Sequence, residues 1–454
     1  MPPSPRSAHR LLMRLGRAYS LLFPAAEAIL NSSTLTAAAS AYLEWKPRLY
    51  SGLRGHYPHV VAQALTLKIL NILLCRRHQN ARDTHLLSRP IGLIVDPTNV
   101  CRLACPGCVH SERSEQLGVF DWPKRTLQSA LFDALLARYG PHAIEIYLCN
   151  YGEPLLNLAT PDLIREAKRY LLRTSLSTSL SVERFDAAAY VESGLDRMEV
   201  SIDGATQATY DRFRRHGDLE LVFRNLRRLV EAKRELNRSN PTLAWKFLAF
   251  EHNIHELPAA RKRARELGFD YFCTSLPFDV SWDDPEIRPA RIQPQIHRLR
   301  PAAFWWERAI HPAPAYEQLD DDVIGAAFDA PLGPIPDTVE RAKSQSTCPW
   351  LYKNMVMDGA GRVLPCCAAP APGRNLVFGR FESDGTDPFN SPSHKAARGY
   401  FATGEIPNGE KPFCIECPWK VEDTNIGATS IRQYFSAAGA AYFDRWSLDL
   451  LAKW

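Results

Sequence analysis

The sequence lacks a long apolar run of the kind that crosses a membrane. The longest such run, Val60 to Cys75, is interrupted by Lys68, and it is shorter than the roughly 20 apolar residues that a spanning helix needs. The basic N-terminus contains no continuous apolar core followed by a small-residue cleavage site, which argues against a signal peptide. We therefore expect a cytoplasmic protein without a transmembrane segment, in which 60–75 form a packed or surface amphipathic helix.

A strong excess of one charge is also missing. The formal net charge is only +5 over 454 residues, and the basic residues are spread along the chain. This distribution predicts no binding to nucleic acid. Neither an HxxxH nor an HExxH spacing occurs among the histidines, so we assign no histidine to a metal.

Cysteine is plentiful, and its spacing is informative. The 11 cysteines include two groups separated by a cysteine-poor middle, and clustered cysteines in a reducing compartment favour metal or redox chemistry over disulfides. The first group is Cys101, Cys105 and Cys108. A structural zinc site normally takes four ligands, whereas three thiolates on a [4Fe–4S] cluster leave one iron open to an outside ligand. Three free cysteines or a zinc half-site are the alternatives.

Hydrophobic periodicity predicts an α/β protein of several parts. Residues 1–88 show helical spacing and form a helical N-terminal extension. Residues 89–277 alternate strand and helix patterns, which favours parallel strands with crossover helices. Residues 278–345 are rich in Pro and Asp and read as a linker or substrate-side region, and 346–454 contain the second cysteine group. After a first strand within 89–99, we predict strands at 143–149, 174–179, 197–203, 242–250 and 269–275, and helices at 125–139, 161–172, 183–193, 219–237 and 254–267.

The segment CRLACPGC, Cys101 to Cys108, resembles the CxxxCxxC signature of the radical S-adenosylmethionine (SAM) enzymes. That resemblance implies a partial (β/α)6 barrel. It also implies that the three cysteines hold a [4Fe–4S] cluster and that the missing fourth ligand is SAM. Parallel α/β barrels place their chemistry at the carboxyl ends of their strands, and the further motifs of the family follow predicted strands here.

The resemblance assigns cofactor contacts to three further motifs, which are GEP, SIDGAT (Ser201 to Thr206) and YDRFRRHGD. Glu153 in the GEP motif would meet the amino group of SAM, and Arg214 in YDRFRRHGD would pair with its carboxylate. After the third strand the family often has Thr-Asn-Gly, where this chain has Ser177, Thr178 and Ser179. The cofactor-binding residues that the resemblance implies are Gly152, Glu153, Pro154, Ser201, Asp203 and Arg214.

The second group resembles the SPASM and twitch extensions of the same family, which hold auxiliary [4Fe–4S] clusters. There are too few cysteines for the full SPASM pattern, so a shortened, one-cluster version is expected. Its ligands would be Cys348, Cys366, Cys414 and Cys417, with Cys367 as the alternative to Cys366. A zinc knuckle is the alternative, because four thiolates with a CxxC half are a common zinc pattern.

Two other cysteines lie near predicted strand ends. Cys273 could face the cavity and return a hydrogen atom to a substrate radical, as a redox-neutral epimerisation would require, or it could be a small buried apolar residue. Cys149 is expected to lie in the core or beside the cofactor.

Together these features predict an enzyme that cleaves SAM reductively and abstracts hydrogen from a C–H bond. An auxiliary cluster favours an oxidative outcome. The substrate would be a natural product or other small molecule, a glycan or a peptide, and the electron donor a flavodoxin or ferredoxin. The alternatives are a peptide maturase, a redox-neutral epimerase and, in another class, a non-catalytic iron–sulfur or zinc-binding protein.

Overall fold

The computed structural model describes residues 58–116, 123–277, 287–292, 295–299, 348–367, 376–382, 386–405 and residue 414. Six strands occur in the barrel region: β1 (Gly92–Val95), β2 (Glu145–Tyr147), β3 (Arg173–Thr178), β4 (Arg197–Ser201), β5 (Thr242–Leu248) and β6 (Tyr271–Ser275). Each pairs in parallel with the next. The predicted partial (β/α)6 barrel is thereby confirmed as a mostly parallel sheet that does not close on itself.

Four strands that the sequence did not reveal extend this sheet at both edges. They are β7 (Gln295–Arg298), β8 (Asn354–Met357), β9 (Arg362–Leu364) and β10 (Gly379–Arg380). β7 pairs antiparallel with β6, and β8 pairs in parallel with β1. The strand order is β10-β9-β8-β1-β2-β3-β4-β5-β6-β7. Part of the Pro- and Asp-rich region and the start of the second cysteine group therefore share one sheet with the barrel.

The five helices predicted between the barrel strands occur close to their predicted ranges, and the described residues contain other helices as well. In chain order the described helices are α1 (Pro58–Ala81), α2 (Glu112–Gln116), α3 (Ser129–Tyr139), α4 (Thr160–Arg169), α5 (Ala187–Glu192), α6 (Gln207–Phe213), α7 (Leu219–Glu235), α8 (Leu257–Glu266), α9 (Trp350–Lys353) and α10 (Pro392–Thr403). Polar N-caps begin several of them. Asp186, Thr206 and Asp218 each accept a hydrogen bond from a backbone N–H of the first turn of α5, α6 and α7, which satisfies a donor that the helix itself cannot pair.

The main core lies between the sheet and these helices. Trp245 on β5 is fully buried and packs against Phe223, Phe269 and Phe272, with ring centroids 5.4–6.1 Å apart. Its indole N–H donates to the carbonyl oxygen of Ile202 (2.8 Å), so the polar atom is satisfied in an apolar setting. This core holds β4 and β5 in place, and part of the site lies at the carboxyl ends of these two strands.

The apolar run in α1 is packed against the barrel. Ile72, Leu73, Leu74 and Cys75 are buried, and no described helix is both long and apolar enough to cross a membrane. Of the predicted N-terminal extension, 1–57 lie outside the described residues.

Candidate active site

The loop after β1 places three free thiols in one apolar environment. Cys105 packs with Phe213 and Phe250, and Cys101 and Cys108 lie against the same cluster. The loop is tied to the end of α6, because the Ala104 N–H donates to the carbonyl oxygen of Arg215 (3.2 Å). Burial raises the pKa of all three thiols, that of Cys105 to about 12. They can therefore act as thiolates only when a bound cation compensates for the missing solvent.

The donor set suits an iron–sulfur cluster better than a single metal ion. Three soft thiols from one loop in an apolar pocket are typical of a cluster site. Among the described residues, no three His, Cys, Asp or Glu side chains are grouped closely enough to hold a metal ion. A single zinc ion needs every thiolate at about 2.3 Å, whereas a cubane holds its thiolates farther apart.

Asp96, the residue after β1, organises the turn that contains the GEP motif. Its carboxylate is fully buried and accepts hydrogen bonds from the backbone N–H groups of Asn150 (3.1 Å), Tyr151 (2.8 Å) and Gly152 (3.2 Å). Burial raises the pKa of Asp96 to about 7, and the three N–H donors oppose that rise. The turn after β2 is therefore fastened directly to the strand that carries the cysteine loop.

Gly152 and Glu153 bring this turn against the backbone of the cysteine loop. A Cβ atom at position 152 would lie only 1.8 Å from the carbonyl oxygen of Thr98. The next N–H, that of Glu153, donates to the carbonyl oxygen of Val100 (2.8 Å). Pro154 then begins a short 3₁₀ helix, Pro154–Leu156. Only glycine allows this contact between the two loops.

The carboxylate of Glu153 points toward the end of β3. It accepts hydrogen bonds from the hydroxyl of Thr178 (2.5 Å) and from both the N–H (2.8 Å) and the hydroxyl (2.7 Å) of Ser179. These are two of the residues that replace the family's Thr-Asn-Gly. The hydroxyl groups of Thr178 and Ser179, at the end of β3, thus hold the carboxylate of Glu153 in place. The contact between Glu153 and an amino group stays a prediction.

Arg214 and Asp203 form a buried ion pair at the end of β4. Nε of Arg214 donates to the carboxylate of Asp203 (2.5 Å), whose other oxygen accepts from the Leu248 N–H (2.7 Å). Burial raises the pKa of Asp203, and the guanidinium of Arg214 opposes that rise. Nη1 of Arg214 lies 3.9 Å from Sγ of Cys105. Asp203 thereby orients the Nη side of Arg214 toward the cysteine loop.

The remaining predicted residues of the barrel face its interior. Oγ of Ser201 lies 3.4 Å from Oγ of Ser177 on the neighbouring strand. Cys149 is partly buried, with its thiol 3.9 Å from the carbonyl oxygen of Gly152. Cys273 is buried on β6, and its pKa is raised by burial to about 11 although the cations of Arg197 and Lys246 oppose the rise.

The second cysteine group is spread over two apolar clusters. Cys366 and Cys367 pack beside Ile94, Tyr147 and Tyr151 at the β1–β8 side of the sheet. Cys348 and Cys414 instead lie with the main core. Cys417 lies outside the described residues. The structure therefore brings Cys366 and Cys367 next to the barrel, and a common cluster for the predicted ligands stays a prediction.

Several residues of the site were not predicted from the sequence. Asp96 carries a detectable signal, since an acidic residue that directly ends an apolar strand in an α/β fold lies at the functional edge of the sheet. Charged residues within β4 and β5 are a second signal that the sequence contains. Strands of a parallel sheet are normally apolar along their whole length, so Arg197, Glu199 and Lys246 are exceptions that mark the barrel interior.

Residues 95–241 match the family model described as the Radical SAM superfamily. The chain is also similar to curated proteins. A "Probable GTP 3',8-cyclase" of Methanococcus maripaludis is 27% identical over 176 residues, which is 38% of this chain and 54% of that protein. The "PqqA peptide cyclase" of Gluconobacter oxydans is 26% identical over 184 residues, 40% of this chain and 48% of that protein. The matched region spans about half the length of these relatives.

Two solved structures overlap with the chain over a larger share of its length. Streptococcus suis SuiB has a TM-score of 0.47 and 13% identity, covering 83% of each chain. Native anSMEcpe with bound AdoMet has a TM-score of 0.45 and 13% identity, covering 80% of this chain and 99% of the other. The fold is defined by the strand order described above. By that order the chain has the mostly parallel, unclosed sheet of a partial barrel, and the residues that match the Radical SAM family model, 95–241, extend from the last residue of β1 past β4.

Proposed function

We propose that this chain is a radical SAM enzyme that abstracts hydrogen from a C–H bond of a natural product, carbohydrate or peptide, with an oxidative outcome. Cys101, Cys105 and Cys108 would hold a [4Fe–4S] cluster whose open iron takes SAM. When bound, the cluster and SAM supply a 5′-deoxyadenosyl radical that removes a hydrogen atom from the substrate.

The observation that carries this proposal is the convergence of three motifs at the carboxyl ends of parallel strands. The cysteine loop follows β1, the GEP turn follows β2, and Arg214 is held by Asp203 at the end of β4. The Nη side of Arg214 faces Cys105, which is the orientation that a carboxylate clamp beside the cluster requires. A structural metal site has no use for such a clamp.

The chain's own residues would bind and orient the cofactor. Gly152 lets the GEP turn approach the cysteine loop. Glu153 and Pro154 shape that turn, and Glu153 would meet the amino group of SAM. Ser201 and Asp203 lie on the β4 side of the same opening, where Asp203 keeps Arg214 in place.

We further propose that the second cysteine group holds one auxiliary [4Fe–4S] cluster in a shortened SPASM or twitch domain. The ligands would be Cys348, Cys366, Cys414 and Cys417, with Cys367 as the alternative to Cys366. Such a cluster could accept an electron from a substrate radical, which is the reason to favour oxidation. A flavodoxin or ferredoxin would donate the first electron.

Peptide modification is the second candidate. The similarity to a protein named PqqA peptide cyclase supports it. A redox-neutral epimerisation would need a hydrogen donor in the barrel, and Cys273, buried on β6 beside Arg197 and Lys246, is the thiol available for that role.

The test is anaerobic reconstitution with iron and sulfide, reduction with dithionite, and measurement of 5′-deoxyadenosine. We expect about eight irons per chain, two cubane clusters, and SAM-dependent release of 5′-deoxyadenosine. Cys101→Ala should abolish the release. Cys75→Ala, which changes a buried thiol of α1 that contacts the Tyr352 carbonyl oxygen, is the matched control and should leave it unchanged.

Replacement of Cys348, Cys366, Cys414 and Cys417 together by Ala should leave about four irons. The enzyme proposal fails if the reconstituted wild type releases no more 5′-deoxyadenosine than Cys101→Ala. Zinc in place of iron in the purified protein would instead favour the non-catalytic alternative.

A further inference from the structure

A row of polar side chains lines the interior of the barrel. Strand residues alternate between the two faces of a sheet, and on β3 and β4 the buried side chains alternate with partly exposed ones. The strand register places residues of the same face side by side, with Ser177 next to Glu199 on β4 and the buried Ser201 next to Lys246 on β5. The inward-facing polar residues used below are Tyr147, Ser177, Arg197, Glu199, Ser201 and Lys246.

Two of the three charges in this row neutralise each other. Arg197 and Glu199 form a salt bridge of 2.8 Å with side chains about one fifth exposed (18% and 20%). Lys246 is the third charge. Within the described part of the chain no carboxylate lies within salt-bridge distance of its ammonium group, and the nearby Asp203 is already paired with Arg214. Lys246 is therefore the charge of this row that has no salt-bridge partner among the described residues.

Lys246 occupies a central position in this interior. It lies between Ser201 on β4 and Cys273 on β6. Its ammonium group also acts electrostatically on Cys149 after β2 and on Cys367 after β9. A cation whose field acts on elements on both sides of the opening can attract an anion that enters the space between them.

Hydroxyl groups surround the same space. Oγ of Ser177 and Oγ of Ser201 are 3.4 Å apart, and the hydroxyl of Tyr147 shares a hydrogen bond with Ser177. A cation with neighbouring hydroxyl donors is a suitable environment for a carboxylate or phosphate oxygen, because charge-assisted hydrogen bonds to an anion are strong in a partly desolvated site.

We propose that Lys246 is the anchor for an anionic group of the substrate, a carboxylate or a phosphate, inside the barrel, with Ser177, Ser201 and Tyr147 as additional donors. This proposal rests on the proposed function for the reaction that follows binding. Because Arg197 and Glu199 neutralise each other, Lys246 is the charge of this row that selects the substrate. The ammonium group of Lys246 also disfavours cationic substrates at this position.

The experiment is isothermal titration of the reconstituted holoenzyme at fixed ionic strength, with SAM present so that the cofactor's own carboxylate is already bound. Inorganic pyrophosphate and malonate are titrated separately, to distinguish a phosphate from a carboxylate. Malonamide, which is uncharged, is the control ligand. The variants are Lys246→Met, Lys246→Arg and, as a matched control on the exposed face of α8, Lys262→Met.

We expect the wild type to bind at least one of the two anions and not malonamide. Lys246→Met should weaken that binding by about tenfold or more, because a desolvated charge contact is lost. Lys246→Arg should restore most of it, and Lys262→Met should bind like the wild type. The proposal is overturned if the wild type binds neither anion, or if Lys246→Met binds both as the wild type does.

Release of 5′-deoxyadenosine by the same wild-type preparation separates the two proposals. Release without anion binding overturns only the anchor at Lys246. Anion binding that depends on Lys246, without release in any sample, overturns only the proposed reaction.

Discussion

The space beside Gly152 is filled by the backbone of another loop. A Cβ at this position would lie 1.8 Å from the carbonyl oxygen of Thr98 and 2.7 Å from its carbonyl carbon. Backbone atoms cannot move aside as the end of a flexible side chain can. Gly152 therefore sets the distance between the GEP turn and the cysteine loop.

Gly152→Ala should push these two loops apart. We expect a loss of about 1–3 kcal/mol in stability, as for other overpacked sites, and a clear fall in SAM-dependent 5′-deoxyadenosine release, because the turn and the cysteine loop would lose their relative position. Thermal denaturation and the cleavage assay measure the two effects. Gly379→Ala, whose added Cβ would meet its nearest atom at 3.3 Å, is the control. Wild-type stability and release in Gly152→Ala would contradict this account of the site.

The planar guanidinium group of Arg214 faces two partners at once. Its Nε is held by Asp203, and its Nη1 faces Cys105. Lysine has the charge but lacks the rigid set of donors that would serve both sides at once.

Arg214→Lys should therefore weaken SAM binding by about tenfold or more. Equilibrium binding of SAM to the reconstituted variant measures the effect. Arg212→Lys, an exposed position on α6, should bind like the wild type. Arg214→Met should in addition cost about 3–5 kcal/mol of stability, because it leaves the buried carboxylate of Asp203 without its partner. Unchanged SAM affinity in Arg214→Lys would remove Arg214 from the cofactor site.

At the scale of elements, local periodicity was sufficient for the barrel strands and their helices. Each of the six predicted strands overlaps an observed one, because alternation and apolar runs are properties of short segments. The inward charges of β4 and β5 were missed. Their effect depends on which residues share the barrel interior, as Ser201 and Lys246 do, and a single segment does not contain that information.

The packing of α1 also depends on a residue that its apolar pattern does not explain. Lys68 is fully buried, and its ammonium group donates to the carbonyl oxygens of Gly140 (2.8 Å) and Ala143. These carbonyl groups lie in the connection from α3 to β2. Lys68 thus attaches α1 to the end of the barrel opposite the site. Burial lowers its pKa from an ordinary value of 10.5 to about 7.

This lowered pKa predicts a pH-dependent stability. Between about pH 7 and 10 the unfolded chain binds more protons at Lys68 than the folded chain, so the free energy of unfolding should rise with pH, by at most about 1.4 kcal/mol per unit. Below about pH 7 the penalty of the buried charge is fully present. Lys68→Met removes the titrating group, so the wild type should gain stability relative to this variant as the pH rises.

Thermal denaturation midpoints of both proteins at pH 6 to 9 test this expectation. Lys262→Met, at an exposed position, serves as the control and should follow the wild type. A constant difference between wild type and Lys68→Met over this range would show that Lys68 does not titrate there.

At the scale of the whole molecule, the barrel sheet continues into the second cysteine group. The Asp96 N–H donates to the carbonyl oxygen of Met357 (2.9 Å), and β8 is paired with β1 along its length. Cys366 and Cys367 consequently lie beside Tyr147 and Tyr151 of the barrel. The sequence could not predict this contact, since β8 is only four residues long and its partner lies far away in the chain. A parallel pairing of that kind is specified by tertiary packing.

The shared sheet predicts that the barrel depends on the C-terminal part for its stability. A chain that ends at residue 347 would lose β8, whose Met355, Val356 and Met357 are fully buried, at about 1.5–3 kcal/mol for each buried side chain. It would also expose the edge of β1 to pairing with other chains. We expect aggregation in size-exclusion chromatography and a lower melting temperature. The double variant Cys366→Ala/Cys367→Ala keeps the strand and removes only thiols, so it should remain monodisperse. A monodisperse 1–347 chain that binds iron and releases 5′-deoxyadenosine would show instead that the barrel is an independent unit.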